Sequence, residues 1–260
     1  MKHTLLLAAI VLLSLAGCTR GIQTGTTSHA GSVPLNEGSD IGYSYSYSME
    51  YLTGGLPQDV MDAINGGIVR SFILFGQEDA GTDVKAACRQ WEESGIAGYK
   101  SDAEQMLDDF DEESSFMLNW ESGIDGRFLP PDAKRNLLTY NCSANDYMGG
   151  AHGMYAENYL VFDTLTGAVV KEEDLFQGDW EEVLGKMLKE KLIGDFPEYS
   201  DGEDLEFNDV FFGPPYPNGN FSVGKDGITW YYNPYDIAPY ALGVIDVTLG
   251  WKELEPLLKK

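Results

Sequence analysis

Between Tyr43 and Met49, large and small residues alternate strictly in the order Tyr-Ser-Tyr-Ser-Tyr-Ser-Met. A period of two is typical of a β-strand that buries one face and exposes the other. Further segments carry strand patterns, and Gly224–Gly227 predicts a hairpin turn. The other expected strands are 116–120, 135–143, 154–162, 221–223, 228–232 and 243–249. A turn at 123–126 is expected after the strand at 116–120.

Helical spacing appears in separate blocks of the chain. Pro57 is expected to begin a helix whose apolar face includes Val60, Ile64, Ile68 and Phe72. Three more helices with an apolar face are expected, of which the third follows the capping-box spacing at 179–182, and a short helix is expected after the last strand. The apolar positions of these three helices are Val84, Ala87, Cys88 and Trp91; Met106, Leu107 and Phe110; and Trp180, Leu184, Met187 and Leu188.

Strands joined by hairpins, with helices segregated from them, predict an α+β fold built on an antiparallel sheet. The chain of 260 residues is long enough for one large domain or two smaller lobes. We expect two lobes, an N-terminal α+β lobe over residues 41–130 and a C-terminal domain over residues 131–260.

The first 17 residues have the organisation of a secretion signal. A short positive region precedes an apolar run from Leu5 to Leu15, which is too short to span a bilayer in the usual way. The run ends in Leu-Ala-Gly-Cys, and this order resembles the bacterial lipoprotein signal, in which Cys18 would carry the lipid. A plain signal peptide with an incidental cysteine is the alternative. Residues 18–40 are rich in Gly, Ser and Thr and predict a flexible tether.

The chain is strongly acidic, with 42 acidic residues against 17 basic ones and a net charge of −25. This charge disfavours binding to nucleic acid or to anionic lipid headgroups. It favours encounter with cationic proteins or metal ions, although acidic residues more often serve solubility.

Cysteine and histidine are scarce outside the signal. Cys88 and Cys142 could form a disulfide in an exported protein, or they could be two buried thiols. His152 is the one histidine expected within the folded part. A mixed Cys88–Cys142–His152 metal site is conceivable, but a zinc site usually has more histidine or cysteine ligands, and we expect no metal or other cofactor.

No motif indicates catalysis. The chain has no G-x-S-x-G nucleophile elbow, no H-E-x-x-H motif and no P-loop. Paired carboxylates for glycoside hydrolysis remain open, because the many acidic residues offer pairs of no particular specificity. Residues 201–209 could ligate calcium, although they lack the spacing of an EF-hand loop, and a solvated acidic loop is the alternative.

Two short segments contain the candidate ligand-binding residues. The first is a glycine-rich loop from Tyr147 to Gly153, in which His152 would either fix the loop or contact a ligand. The second is an aromatic, proline-bounded corner from Pro234 to Tyr240, whose tyrosines would be core residues or an exposed recognition face. The candidates are Tyr147, Gly149, Gly150, His152, Gly153, Tyr235, Asp236 and Tyr240.

The order of these segments resembles a known family. From Thr139 to Lys260 the chain reads GGAHG, then Asp163 and Gly167, then DLF at 174–176, and then PYDIAPYA followed by Gly243. This order is similar to the C-terminal domain shared by the RsiV anti-sigma factor and PdaC-type peptidoglycan deacetylases. In RsiV this domain binds lysozyme outside the cell, whereas in PdaC the catalytic domain is separate. The resemblance implies an extracytoplasmic α+β binding or sensing module and transfers no catalytic residue.

The sequence therefore favours a non-catalytic envelope lipoprotein that is held by lipid on Cys18, with the periplasmic side favoured over the cell surface. Its partner would be a lysozyme-like cationic protein or peptidoglycan. An envelope glycan hydrolase that uses acidic residues and a structural lipoprotein are the competing hypotheses.

The lipobox generates the first prediction. Replacing Cys18 by Ser removes the thiol to which the lipid would be attached, so Cys18→Ser is expected to abolish acylation and to release the protein from membranes. Phase partitioning in detergent measures this directly. An unchanged distribution between the detergent and aqueous phases would contradict it.

Overall fold

The computed structural model describes residues 21–107, 114–197 and 210–259. The predicted signal at 1–17, the lipidation site Cys18 and the possible calcium loop at 201–209 lie outside the described residues. No helix in the described ranges is both long enough and apolar enough to cross a membrane.

A six-stranded sheet in the order β1-β2-β3-β4-β5-β6 forms the centre of the molecule. Neighbouring strands are antiparallel except β2 and β3, which are parallel because two helices connect them. The strands are β1 (Gln23–Pro34), β2 (Gly42–Gly54), β3 (Trp120–Phe128), β4 (Leu137–Tyr147), β5 (Met154–Asp163) and β6 (Val169–Val170).

Strand β2 confirms the alternation that the sequence predicts. Tyr43, Tyr45, Tyr47 and Met49 are buried beneath the helices, whereas the intervening serines lie on the opposite face of the sheet. The period of two therefore divides the sheet into a helix-covered face and a second face that is polar along β1, β2 and β3.

The predicted flexible tether is wrong over most of its length. Residues Gln23–Pro34 form β1, which pairs with β2 in antiparallel register from Gln23↔Gly54 to Pro34↔Gly42. Small residues such as Gly and Ser are typical of linkers, but here they form a strand because β2 supplies a complete hydrogen-bonding partner.

The region around β3 also differs from its prediction. Residues Ser115–Leu118 form a 3₁₀ turn, and the strand begins only at Trp120. Gly123 and Gly126 lie inside this strand and do not form a turn. A Cβ atom at Gly126 would collide with the Tyr140 hydroxyl, so this glycine permits close side-chain packing and not a reversal of the chain.

Two long helices cover one face of the main sheet. Helix α1 (Gln58–Ile68) follows Pro57 as predicted and ends in a π-helical turn, Val69–Ile73. Helix α2 (Val84–Met106) is capped at its N-terminus by Asp83, whose side chain accepts a hydrogen bond from the Ala86 amide at 3.0 Å. Met106, assigned in the sequence to a separate helix, is the last residue of α2.

The second sheet is smaller and packs with helices near the C-terminus. Its order is β7-β8-β9, and the predicted hairpin at 224–227 joins its first two strands. Its core contains Trp230, Leu188 and Val247 and also receives Leu137 and Val161 from the main sheet. The elements are α3 (Glu172–Leu175), α4 (Trp180–Asp195), β7 (Phe221–Val223), β8 (Gly227–Tyr232), β9 (Ile245–Gly250) and α5 (Trp251–Leu254).

The α+β prediction is confirmed, with a mostly antiparallel main sheet and a few helices beside it. The expected division at residues 130 and 131 falls between β3 and β4, which are adjacent and paired from Glu121↔Tyr147 to Phe128↔Tyr140. The boundary between the two layers of the fold therefore lies between the main sheet and the small sheet, and not at residues 130 and 131.

Asparagine side chains join these two layers along the outer edge of β5. The Asn220 Oδ1 atom accepts a hydrogen bond from the Tyr159 amide at 2.8 Å, and its Nδ2 atom donates to the Glu157 carbonyl at 2.9 Å. The Asn233 Oδ1 atom accepts from the Glu157 amide at 2.8 Å. These amides take the place of a neighbouring strand before β6 begins.

The junction generates a stability prediction. Asn220→Ala would leave the Tyr159 amide without a partner and would remove one of the two hydrogen bonds that the Glu157 and Tyr231 carbonyls each accept, so the free energy of unfolding is expected to fall by about 2 kcal/mol. Chemical denaturation measures the change. Asn145→Ala, at an exposed position on β4, is the matched control. Equal effects for the two variants would contradict a special role for Asn220.

Candidate functional site

The glycine-rich loop between β4 and β5 has a conformation that requires its glycines. Gly149 and Gly150 have φ angles of 84° and 95°. A Cβ atom at Gly149 would also lie 2.5 Å from the Met117 carbonyl oxygen. The Tyr147 hydroxyl donates to the Gly150 carbonyl at 3.0 Å and closes the loop. Tyr147, Gly149 and Gly150 thus set the shape of the loop.

The aromatic corner after β8 is held by local hydrogen bonds. The Asp236 carboxylate accepts from the Asn233 amide at 2.7 Å, and the Tyr235 amide donates to the Ala238 carbonyl at 2.9 Å. Tyr235 has a φ of 74°, a conformation uncommon for a bulky residue, and its side chain is 48% exposed. Strained backbone of this kind is frequent at functional sites.

Ring contacts bring the loop and the corner together. The His152 ring stacks on Tyr240 with 4.3 Å between centroids and 25° between planes. Tyr155 meets the same ring edge-on at 5.5 Å, and Tyr235 lies 6.0 Å from it. We call His152, Tyr155, Tyr235 and Tyr240 the aromatic cluster. Of the predicted candidates, His152, Tyr235 and Tyr240 belong to it, whereas Gly153 and Asp236 support it through backbone geometry and hydrogen bonds.

His152 is fixed by two contacts and is exposed to solvent. Its Nδ1 atom lies 2.9 Å from the Gly153 carbonyl oxygen, to which it can only donate. The second contact is the Tyr240 ring, on which the His152 ring stacks. No hydrogen bond links it to a hydroxyl or carboxyl group in the described part of the chain, so its observed contacts are structural.

An open cleft of about 670 Å³ adjoins the aromatic cluster on the helix-covered side of the sheet. Phe72 of the π-helical turn and Phe75, two residues after the end of that turn, form one wall, and α2 supplies Trp91. Small residues such as Ala144 and Ala156 form part of its floor. Phe75 is 86% exposed at the rim, an unusual position for a large apolar ring.

The polar end of the cleft contains a hydrogen-bonded carboxylate. The Ser122 hydroxyl donates to Asp146 Oδ1 at 2.5 Å. Burial raises the pKa of the nearby Tyr43 hydroxyl. Among the described residues that line the cleft there is no lysine or arginine. The cleft therefore combines an apolar body with a polar, acidic end.

Tyr155 belongs to both the aromatic cluster and the lining of the cleft. Its sequence position gives no sign of this role, because a tyrosine in a predicted strand is indistinguishable from a core residue. Phe72 and Trp91 were assigned to helix cores for the same reason. The exposure of Phe75 and the π-helical turn depend on tertiary packing, which leaves no local signal.

The cysteines are free thiols, so the disulfide alternative is wrong and the buried-thiol alternative holds. Cys88 on α2 and Cys142 on β4 both lie in the core between the helices and the main sheet. Burial raises the pKa of each thiol to about 12. Within the described ranges, no group of three His, Cys, Asp or Glu side chains is placed to hold a metal ion.

Comparisons with known proteins identify a domain without a known function. Residues 173–252 match the family model described as "Protein of unknown function (DUF3298)", so the chain contains a DUF3298 domain. The match spans α4 and the whole small sheet. No curated protein matches the sequence significantly.

Solved structures extend the similarity over most of the chain. A DUF3298 family member from Bacteroides fragilis NCTC 9343 superposes with a TM-score of 0.82 and 26% identity, covering 93% of this chain and 95% of that one. A DUF3298 family protein from Pseudomonas aeruginosa PAO1 superposes with a TM-score of 0.65 and 16% identity, covering 93% and 96% respectively. The second likeness concerns the fold alone.

The buried thiols generate a prediction about reactivity. A thiolate attacks the disulfide bond of such a reagent and displaces the other sulfur as the leaving thiolate. A raised pKa leaves little thiolate at neutral pH, so neither Cys88 nor Cys142 is expected to react in the folded protein. In the Cys18→Ser chain, both should react with Ellman's reagent after denaturation in guanidinium. Reaction of either thiol within minutes under native conditions would contradict the burial.

Proposed function

We propose that this chain is an exported, lipid-anchored binding module without catalytic activity, and that its partner is a basic protein of the lysozyme type. The recognition surface is the aromatic cluster together with the adjoining cleft. The observation that carries this proposal is the stacking of His152 on Tyr240, which joins two distant segments of the chain into one exposed patch.

The aromatic cluster has the properties of a protein-binding anchor. Tyrosine provides a large contact area at a low cost in side-chain entropy and is enriched among residues that dominate binding energy. Tyr235 and Tyr155 are 48% and 36% exposed, and their rings are held against Tyr240. A patch that is rigid before binding loses little freedom when a partner arrives.

Charge favours a basic partner over other classes. The chain carries a net charge of −25, and Asp236 and Asp146 lie beside the aromatic cluster and in the cleft. Opposite net charges accelerate encounter, while the shaped patch supplies specificity. Lysozyme enters this proposal through the family resemblance described above, and peptidoglycan is the other ligand that the same resemblance offers.

The contacts of His152 support a binding role over hydrolysis. A hydrolase of the serine or cysteine type needs a base within reach of a nucleophile, and the polar and ring contacts of His152 with the described residues are a carbonyl oxygen and the Tyr240 ring. The two thiols are buried in the core between the helices and the main sheet. These observations favour recognition without turnover.

The position of β1 gives the proposed anchor a further property. Gln23, the first residue of β1, follows Cys18 by five residues. Five extended residues span at most about 17 Å. A lipid on Cys18 would therefore hold the domain close to the membrane surface, whereas the tether expected from the sequence would have let it range farther.

Binding to hen egg-white lysozyme tests the proposal. Tyr235→Ala is expected to weaken binding by at least about fivefold, because truncation of an anchor residue costs more than about 1 kcal/mol. The on-rate should fall as salt rises, since the Debye length shrinks to about 8 Å at physiological ionic strength. Surface plasmon resonance with the full chain in detergent measures both quantities.

The matched control is Tyr216→Ala, because Tyr216 is 49% exposed and lies outside the aromatic cluster. An equal effect of both variants would reject the cluster as the recognition surface. No binding at low salt would reject the lysozyme-type partner. Sedimentation of the chain with purified peptidoglycan would then indicate the glycan ligand.

A further inference from the structure

Strand β1 presents a long outer edge at one end of the main sheet. It pairs with β2 on one side, and no strand of the described residues pairs with it on the other. Natural proteins usually protect such edges with charged residues, prolines or bulges. In β1 the register is irregular only between Gln23 and Thr24, and Pro34 stands at the very end of the strand.

The outward-facing backbone groups can be identified from the hairpin that joins β1 to β2. The Leu35 amide donates to the Ile41 carbonyl at 2.9 Å. Backbone groups alternate along an antiparallel strand, so the odd-numbered residues of β1 bond to β2 and the even-numbered ones face outward. The outward residues with an N–H group are Thr24, Thr26, Ser28, Ala30 and Ser32, all of which are exposed.

No charged side chain stands among these residues. His29 is the one ionisable residue between Gln23 and Pro34, and its Nδ1 atom lies 2.9 Å from Glu92 Oε2 of α2. His29 is thus engaged with the helix layer of its own chain. The outer edge is uncharged in a chain whose net charge is −25.

We propose that the edge of β1 pairs with β1 of a second copy of this chain, in antiparallel orientation about a two-fold axis through Ser28. This axis pairs Ser28 with its own counterpart, Thr26 with Ala30, and Thr24 with Ser32. It is the arrangement in which all five outward N–H groups find partners. The two main sheets become one continuous sheet.

The chemistry of the edge favours a second copy over an unrelated extended peptide. The pairing is isologous, so every outward residue meets another small, uncharged residue of the same edge. Like charges that face each other across a sheet are destabilising, and here none meet. The large negative charge of each copy still opposes approach, so pairing is expected to strengthen as salt screens that repulsion.

Cysteine cross-linking of the purified full chain in mild detergent tests the register. Paired Ser28 residues would have Cα atoms about 5.5 Å apart, within the range of a disulfide. The two copies of Thr24 would be about 26 Å apart. Mild copper-phenanthroline oxidation should therefore yield a covalent dimer from Ser28→Cys and none from Thr24→Cys, with the wild-type chain providing the background from the native cysteines.

A proline at the edge tests the hydrogen bonding separately from the fold. In the Ser28→Cys chain, Thr26→Pro removes one outward N–H group, and a proline is tolerated where that group faces away from the sheet. The covalent dimer should be lost while the melting temperature is kept. Thr26→Ala retains the N–H group and should retain the dimer.

The outcomes decide the proposal without reference to ligand binding. Equal yields from Ser28→Cys and Thr24→Cys would overturn the proposed register. A yield that falls as salt rises, or a dimer that survives Thr26→Pro, would overturn pairing through the backbone. Absence of a covalent dimer from the Ser28→Cys chain at high salt would overturn the proposal, because it would show that two β1 edges do not pair.

Discussion

Side-chain amides at the outer edge of β5 are the interaction on which the arrangement of the two sheets depends. Strand β6 is only two residues long, so most of this edge would otherwise face the small sheet with unpaired amides and carbonyls. Partly buried backbone groups of this kind reduce stability when they lack partners. Asn220 and Asn233 flank the β7–β8 hairpin, and each can both donate and accept, so each imitates a strand neighbour. Asn233 also begins the aromatic corner, which links the junction to the recognition surface.

Some parts of this fold follow from the sequence because the determining interactions are local. The Tyr-Ser alternation of β2, the helix after Pro57 and the hairpin at 224–227 all depend on periodicity or turn chemistry within a few residues. The predicted tether and the predicted turn at Gly123 fail for the opposite reason. In β1 a distant strand supplies the hydrogen bonds, and in β3 the glycines make room for Asn145 and Tyr140. Composition cannot distinguish these cases from loops.

The candidate site divides in the same way. Its glycine loop and its Pro234–Tyr240 corner are conspicuous in the sequence, because positive φ angles and proline-bounded aromatics leave a residue signature. The contact between them, through His152 and Tyr240, depends on tertiary packing and has no local sequence signal. The cleft beside them is less predictable still. It forms where the π-helical turn after α1 brings Phe72 and Phe75 over small residues of the sheet, and a helix-period pattern through Phe72 predicts only continued burial.

The two edges of the main sheet have opposite properties, and this has a consequence for binding. The β5 side is completed by asparagines and leads to the aromatic cluster, whereas the β1 side remains open. If two copies pair through β1, the two β5 strands lie nine strand spacings apart, or about 43 Å. The aromatic clusters are then at opposite ends of one sheet, and neither is covered by the dimer. A dimer of this form would present two recognition surfaces on a rigid frame. Such a frame increases the apparent affinity for a partner only when that partner is displayed at a matching spacing, as on a surface or a polymer, and not for a single partner molecule in solution.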